Sequence, residues 1–274
     1  MVKLDTMARC CTYSPDGTKI AVGLGARVGR GRQKKDGAFL LLNAETMQVL
    51  FEGRDSRHYI RDAKYSPDGK SFALASMDHK IYLYDAGSTV LRAKCDKHNS
   101  HVMAIDFSDD SAYVQSDAGD YEHLYHNAMD GTNFRLPSQL KNVNWATWTC
   151  VFGWAVQGAW PTYSAEAAAK AGAKGLPDVT TTDRSADGKL LAAGDEAGEL
   201  RVYKYPCLAK EQESVTEGAH VSHVARARFN KTGTHLVTVG KRDRAIMVWR
   251  VVQAPPPEDK HADKKSGATK TGDK

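Results

Sequence analysis

Tyr13-Ser14-Pro15-Asp16-Gly17 and Tyr65-Ser66-Pro67-Asp68-Gly69 carry the same turn behind the same aromatic residue, and each leads into an apolar run, Ile20-Ala-Val and Phe72-Ala-Leu. Ser-Pro-Asp-Gly is a turn for a physical reason: proline presets φ at the second position, aspartate hydrogen-bonds its own backbone, and glycine accepts φ > 0. Degenerate copies follow at Ser108 (SDDS), Ser185 (SADG) and Asn230 (NKTG). The anchors are therefore 52, 42, 77 and 45 residues apart.

A second register runs beside the first. His98-Asn-Ser-His101-Val precedes Asp106-Phe107-Ser108 as His220-Val-Ser-His223-Val precedes Arg228-Phe229-Asn230. Within each unit short β-rich runs flank the turn, and a further strand follows, as in Ile81–Tyr84, Leu200–Tyr203 and Ile246–Trp249. A four-stranded unit of about 40 to 45 residues is a propeller blade. The first spacing is lengthened by a Gly-, Arg- and Lys-rich hairpin loop at 25–37, and the longest has room for one degenerate blade. The expectation is an all-β WD-repeat-type propeller of about six units over residues 1–252, followed by a disordered Pro- and Lys-rich tail at 253–274. An open last blade would invite aggregation, and Val2-Lys3-Leu4 is available as its missing outer strand.

The final unit carries His220, Thr238, Asp243 and Trp249 at the places where WD-repeat blades keep a buried hydrogen-bonded network; His98, Ser116, Asp120 and His126 follow more loosely, and Tyr84 and Tyr203 replace the tryptophan elsewhere. The departures from that pattern are the more specific signal. GDYEHLYH from Gly119, ATWTCVFGWAVQGAWP from Ala146, LLAAGDEAGELRVYKYPC from Leu190, HVSHVARARF and AIMVWRVV together resemble the C-terminal propeller of the echinoderm microtubule-associated-protein-like family. The resemblance spans about residues 60 to 252 and implies a non-catalytic cytoskeletal scaffold in the cytoplasm that binds tubulin or microtubules. The alternative is a general adaptor in another cytosolic complex, or a basic-loop binder of nucleic acid.

Composition narrows the remaining classes. The 274 residues carry a formal charge of +5, 41% hydrophobic and 26% charged residues, an ordinary globular profile. No apolar run approaches a membrane span, and MVKLDTMARC lacks the apolar centre of a secretory signal. Five cysteines include no CxxC pair and read as free thiols. The repeated His98/His101 and His220/His223 spacing is what a structural loop yields twice, so no metal or other cofactor is expected. Gly23–Gly31 lacks GxGxxG spacing, GxSxG is absent, and no enzyme is expected.

Four tryptophans, Trp145, Trp148, Trp154 and Trp160, crowd one segment and read as packing between sheets; SAEAAAKA from Ser164 reads as a short surface helix. One charged feature remains. Arg27, Arg30, Arg32, Lys34 and Lys35 supply five cations with no acid between them, equal to the whole formal charge. This run is the candidate partner-binding site for an acidic protein surface such as a tubulin tail, with nucleic acid the less favoured polyanion.

Overall fold

The computed structural model describes residues 3–26, 35–161, 176–210 and 212–252. Among these residues eighteen strands form five antiparallel sheets, each a meander in sequence order. The first blade is β1 (Ala8–Tyr13), β2 (Lys19–Leu24), β3 (Ala38–Asn43) and β4 (Val49–Arg54), and the second is β5 (Ile60–Tyr65), β6 (Ser71–Ser76), β7 (Ile81–Asp85) and β8 (Leu91–Cys95). The third has three strands, β9 (Val102–Phe107), β10 (Tyr113–Ala118) and β11 (His123–Asn127). The fourth is β12 (Val179–Arg184), β13 (Leu190–Asp195), β14 (Glu199–Lys204) and β15 (Ser214–Gly218), and the last is β16 (Val224–Phe229), β17 (His235–Gly240) and β18 (Ile246–Arg250).

The repeated turn does the same work in every blade. Ser14 Oγ donates to Asp16 Oδ1 at 2.5 Å and accepts the Lys19 N–H at 2.9 Å, while Gly17, at φ +73°, returns its N–H to the Ser14 carbonyl. Ser66–Asp68, Ser108–Asp110 and Ser185–Asp187 repeat the side-chain bond at 2.6 Å each, and Asn230 with Thr232 substitutes for it in the last blade. Each turn thereby fixes the register between the first and second strands of its sheet. Apolar side chains on both faces of the central strands pack sheet on sheet: Phe39, Phe72 and Tyr84 join the first two blades, with the Phe72 and Tyr84 rings stacked at 4.8 Å.

The described residues form five sheets where the repeat arithmetic gives about six units. Among the described residues the sixth unit is represented by its innermost part. Trp145 to Cys150 forms no sheet of its own but lies between β9 and β12, where an inner strand would stand. Its anchor is Asp106 on β9, a fully buried carboxylate that accepts the N–H groups of Thr149 at 2.7 Å and Cys150 at 3.0 Å, the Thr149 hydroxyl at 2.9 Å and the Thr147 hydroxyl. On the other side Thr182 of β12 donates to the Cys150 carbonyl at 2.7 Å, and Arg184 donates to the carbonyls of Trp145 and Ala146. Burial alone would raise the Asp106 carboxyl, yet Lys64 at 3.8 Å and these hydrogen bonds hold it below its usual value. The same device joins true blades: Asp62 accepts from the Ile105 N–H, and Asp183 from that of Phe229.

Trp145 and Trp148 are buried in this junction, whereas Trp154 is half exposed on a 3-10 turn (Trp154–Ala159). The expected surface helix and the tail beyond Val252 lie outside the described residues. Of the expected N-terminal clasp, Val2 lies outside the described residues, while Lys3 and Leu4 belong to no strand and Leu4 packs on the Ile20, Val22 and Leu40 face of the first blade. Among the described residues β18 is an edge strand, with Ile246 and Val248 exposed.

Candidate functional site

Each of the five inner strands carries a β-bulge near its start, where the register to the second strand slips by one residue. The residues skipped are Arg9, Arg61, Met103, Thr180 and Ala225. A bulge redirects the side chain of its extra residue. All five line one cavity of about 540 Å³ at the mouth of the propeller, together with the loops that follow the second strands.

The mouth is electrostatically one-sided. Arg9 and Arg61 come from the first two blades and Arg226 and Lys241 from the last, while Asp178 and Glu196 belong to the fourth. The two acids are engaged: Asp178 accepts from the Tyr121 hydroxyl at 2.9 Å, and Glu196 lies 3.3 Å from His223 Nε2. Arg9 donates to the Gly25 carbonyl at 2.8 Å and its guanidinium lies over the Tyr59 ring at 4.8 Å. Arg226 reaches across the mouth to the Arg61 carbonyl at 3.2 Å, and burial first, then Arg228, pulls its pKa down to about 10. Phe152 and Trp160, stacked at 5.2 Å, and Tyr121 form an aromatic wall.

Lys35, the one cation of the basic run among the described residues, does not line this cavity. Arg27, Arg30, Arg32 and Lys34 lie outside the described residues. Lys35 pairs with Asp5 at 3.1 Å and Glu52 at 3.0 Å, and the hydrogen bond to Asp5, then that to Glu52, raises its pKa. The described ends of the loop are clamped, the Ala26 N–H donating to Asp36 Oδ1 at 2.8 Å and Arg54 to the Asp36 carbonyl.

The structure brings His220, Thr238, Asp243 and Trp249 into one chain of hydrogen bonds. His220 Nδ1 lies 2.8 Å from Asp243 Oδ2, His220 Nε2 lies 2.9 Å from Thr238 Oγ1, and Trp249 Nε1 donates to the same hydroxyl at 2.9 Å. The carboxylate can only accept, so Nδ1 carries the proton and Nε2 accepts from Thr238. Thr238 is fully buried, while Asp243 and Trp249 remain partly open beside the edge strand. In the third blade His98 Nε2 meets Ser116 at 2.8 Å, but the acid beside His98 Nδ1 is Glu122 at 3.4 Å and not Asp120.

One cluster has ligand-type atoms that sequence spacing does not reveal. Asp117 Oδ1, His123 and Cys150 Sγ lie within 4.8 Å of one another. The Asp117–His123 hydrogen bond is already closed at 2.5 Å, Asp117 Oδ2 takes the Phe152 N–H at 3.1 Å, and burial, with Asp117 next, pushes the Cys150 thiol well up. A neutral thiol beside a closed acid–histidine pair suits a core contact that holds the tryptophan segment to β10.

The family model described as "Echinoderm microtubule-associated protein second beta-propeller" matches residues 1–251. The chain is 34% identical over 244 residues to the 77 kDa echinoderm microtubule-associated protein of Strongylocentrotus purpuratus, covering 88% of this chain and 33% of that protein. It is 32% identical over 255 residues to echinoderm microtubule-associated protein-like 4 of Xenopus tropicalis (91% of this chain, 25% of that one), and 32% over 263 residues to the human protein-like 3 (92% and 27%). The chain thus spans a quarter to a third of these relatives' length. Among solved structures, the β-propeller domain of Cps50 (Swd1) from Myceliophteria thermophila superposes with a TM-score of 0.58 at 17% identity, over 94% of this chain and 70% of that one, a likeness of fold. The family model covers nearly the whole described propeller, and on that match the chain belongs to the echinoderm microtubule-associated protein family, as a second β-propeller.

Proposed function

We propose that this propeller is a non-catalytic scaffold that binds tubulin or microtubules and acts at the cytoskeleton in the cytoplasm. The observation that carries the reading is the run of five cations from Arg27 to Lys35 with no acid among them, in a chain whose relatives are named for association with microtubules. Glycines flank and divide the run, so its charges can conform to a flexible acidic partner. Exposed pairs contribute about 0.2 to 1 kcal/mol each and are screened within about 8 Å at physiological salt. Five together supply weak, salt-sensitive binding that speeds association more than it deepens affinity. His220, Thr238, Asp243 and Trp249 serve the scaffold by holding the last blade, with no part in partner contact. No helix among the described residues is long and apolar enough to cross a membrane. Pull-down of the chain with tubulin and, in parallel, with an RNA of equal charge over a salt series tests the reading. Preferential retention of tubulin supports it, and preference for RNA at every salt concentration overturns it.

A further inference from the structure

The mouth of the propeller is built for an anion that the chain itself does not provide. Arg9 Nη2, Arg61 Nε and His223 Nδ1 are buried nitrogen atoms with no hydrogen-bond partner, and all three residues line the cavity. Folding rarely leaves such groups unmet, because each lost hydrogen bond to water must be replaced. Among the described residues neither Arg9 nor Arg61 forms an ion pair, and the two acids that line the same cavity, Asp178 and Glu196, bond to Tyr121 and His223 instead. Two adjacent bulges supply the arginines, and the aromatic wall of Tyr121, Phe152 and Trp160 stands on the side of the third and fourth blades.

We propose that this cavity binds the carboxylate of an acidic peptide on Arg9 and Arg61, with a neighbouring apolar ring of the same peptide against Phe152 and Trp160. A guanidinium fork matches a planar carboxylate in two hydrogen bonds, and the aromatic wall adds stacking area beside it. A phosphodiester chain, charged at every step, fits worse in a cavity that Asp178 and Glu196 also line. The carboxylate can be a chain terminus or a glutamate side chain; both present the same group. The inference rests on the reading of a tubulin-side scaffold and adds to the basic loop a second contact, in the mouth.

The test uses the full chain and the acetylated peptide Glu-Gly-Glu-Phe with a free C-terminus, followed by tryptophan emission, because Trp160 lies at the site. The parent binds, Arg61→Gln weakens binding about tenfold or more, and Arg61→Lys falls between them while melting temperature is unchanged. Tyr121→Leu, at an exposed ring of the same wall, weakens binding independently should Arg61→Gln fail to fold. Loss on C-terminal amidation assigns the terminal carboxylate, and loss on replacing both glutamates by glutamine assigns the side chain; either result supports the site. Equal binding by parent, Arg61→Gln and Tyr121→Leu overturns it, as does displacement of the peptide by equimolar inorganic phosphate. A tubulin pull-down separates the two readings. Tubulin bound with no peptide binding by the parent removes the mouth alone. Peptide bound in an Arg61-dependent manner, with no tubulin retained, removes the tubulin reading alone.

Discussion

His126 stands opposite Val114 in the third blade as Trp249 stands opposite Leu236 in the last, so an imidazole occupies the tryptophan position of the repeat. The substitution has a consequence for acid stability. His126 is fully buried, neither ring nitrogen has a partner, and its ring centre lies 6.1 Å from that of His98. Burial first, and then His98, lowers its pKa from 6.5 to about 4, with Asp96 opposing weakly. The unfolded chain therefore takes up a proton that the folded chain refuses between pH 6.5 and 4, so stability falls as pH drops through that window. The loss amounts to at most about 3 kcal/mol. Urea midpoints measured from pH 7 to pH 4.5 should fall for the parent and fall less for His126→Leu; parallel slopes would remove His126 as the cause.

Thr238→Val keeps the shape of a fully buried side chain and removes its hydroxyl. His220 Nε2 then loses its donor and Trp249 Nε1 its acceptor. The expected cost is about 1 to 3 kcal/mol, with no change in partner binding. Asp243→Ala should shift the melting temperature in the same direction. An unchanged melt in both variants would mean that the last blade does not depend on this chain of bonds.

The buried carboxylate of Asp106 is the pin of the tryptophan segment. Asp106→Asn keeps the volume but sets an amide N–H₂ among donors and leaves Lys64 without its counter-charge. A loss of about 3 kcal/mol or more is expected, with loss of the near-ultraviolet dichroism of Trp145 and Trp148 ahead of the β signal. Retention of that dichroism in the variant would place the anchor elsewhere.

Neutralising Arg27, Arg30, Arg32, Lys34 and Lys35 together should slow association with tubulin and flatten its salt dependence while leaving the melt within about 1 kcal/mol of the parent. The only described contacts removed are the exposed pairs of Lys35 with Asp5 and Glu52. An unaltered salt slope would show that the loop is a solvated hairpin.

Much of the architecture was legible because the signals are local. Ser14, Pro15, Asp16 and Gly17 form a turn from their own chemistry, and its recurrence at Ser66 sets the period. The five-sheet count was hidden, because whether residues near Trp145 form a sheet depends on Asp106 and Thr182, which lie about 35 to 40 positions away. The mouth was missed for a similar reason. Arg9 and Arg61 look like ordinary strand residues until a bulge turns them inward, although aligning Ala8-Arg-Cys, Ile60-Arg-Asp, Val102-Met-Ala, Val179-Thr-Thr and Val224-Ala-Arg would have exposed the shared position. The acid of the third blade was misplaced by two residues because order along the chain does not say which side chain of the turn after β10 comes to lie beside His98.

Co-sedimentation of the chain with assembled microtubules, read as bound fraction against salt, tests the central claim most directly. The account predicts saturable binding at low ionic strength that weakens steeply with added salt and weakens further once the acidic tubulin tails have been removed by limited proteolysis. No enrichment in the pellet at low salt, together with no retention of unassembled tubulin, would contradict it.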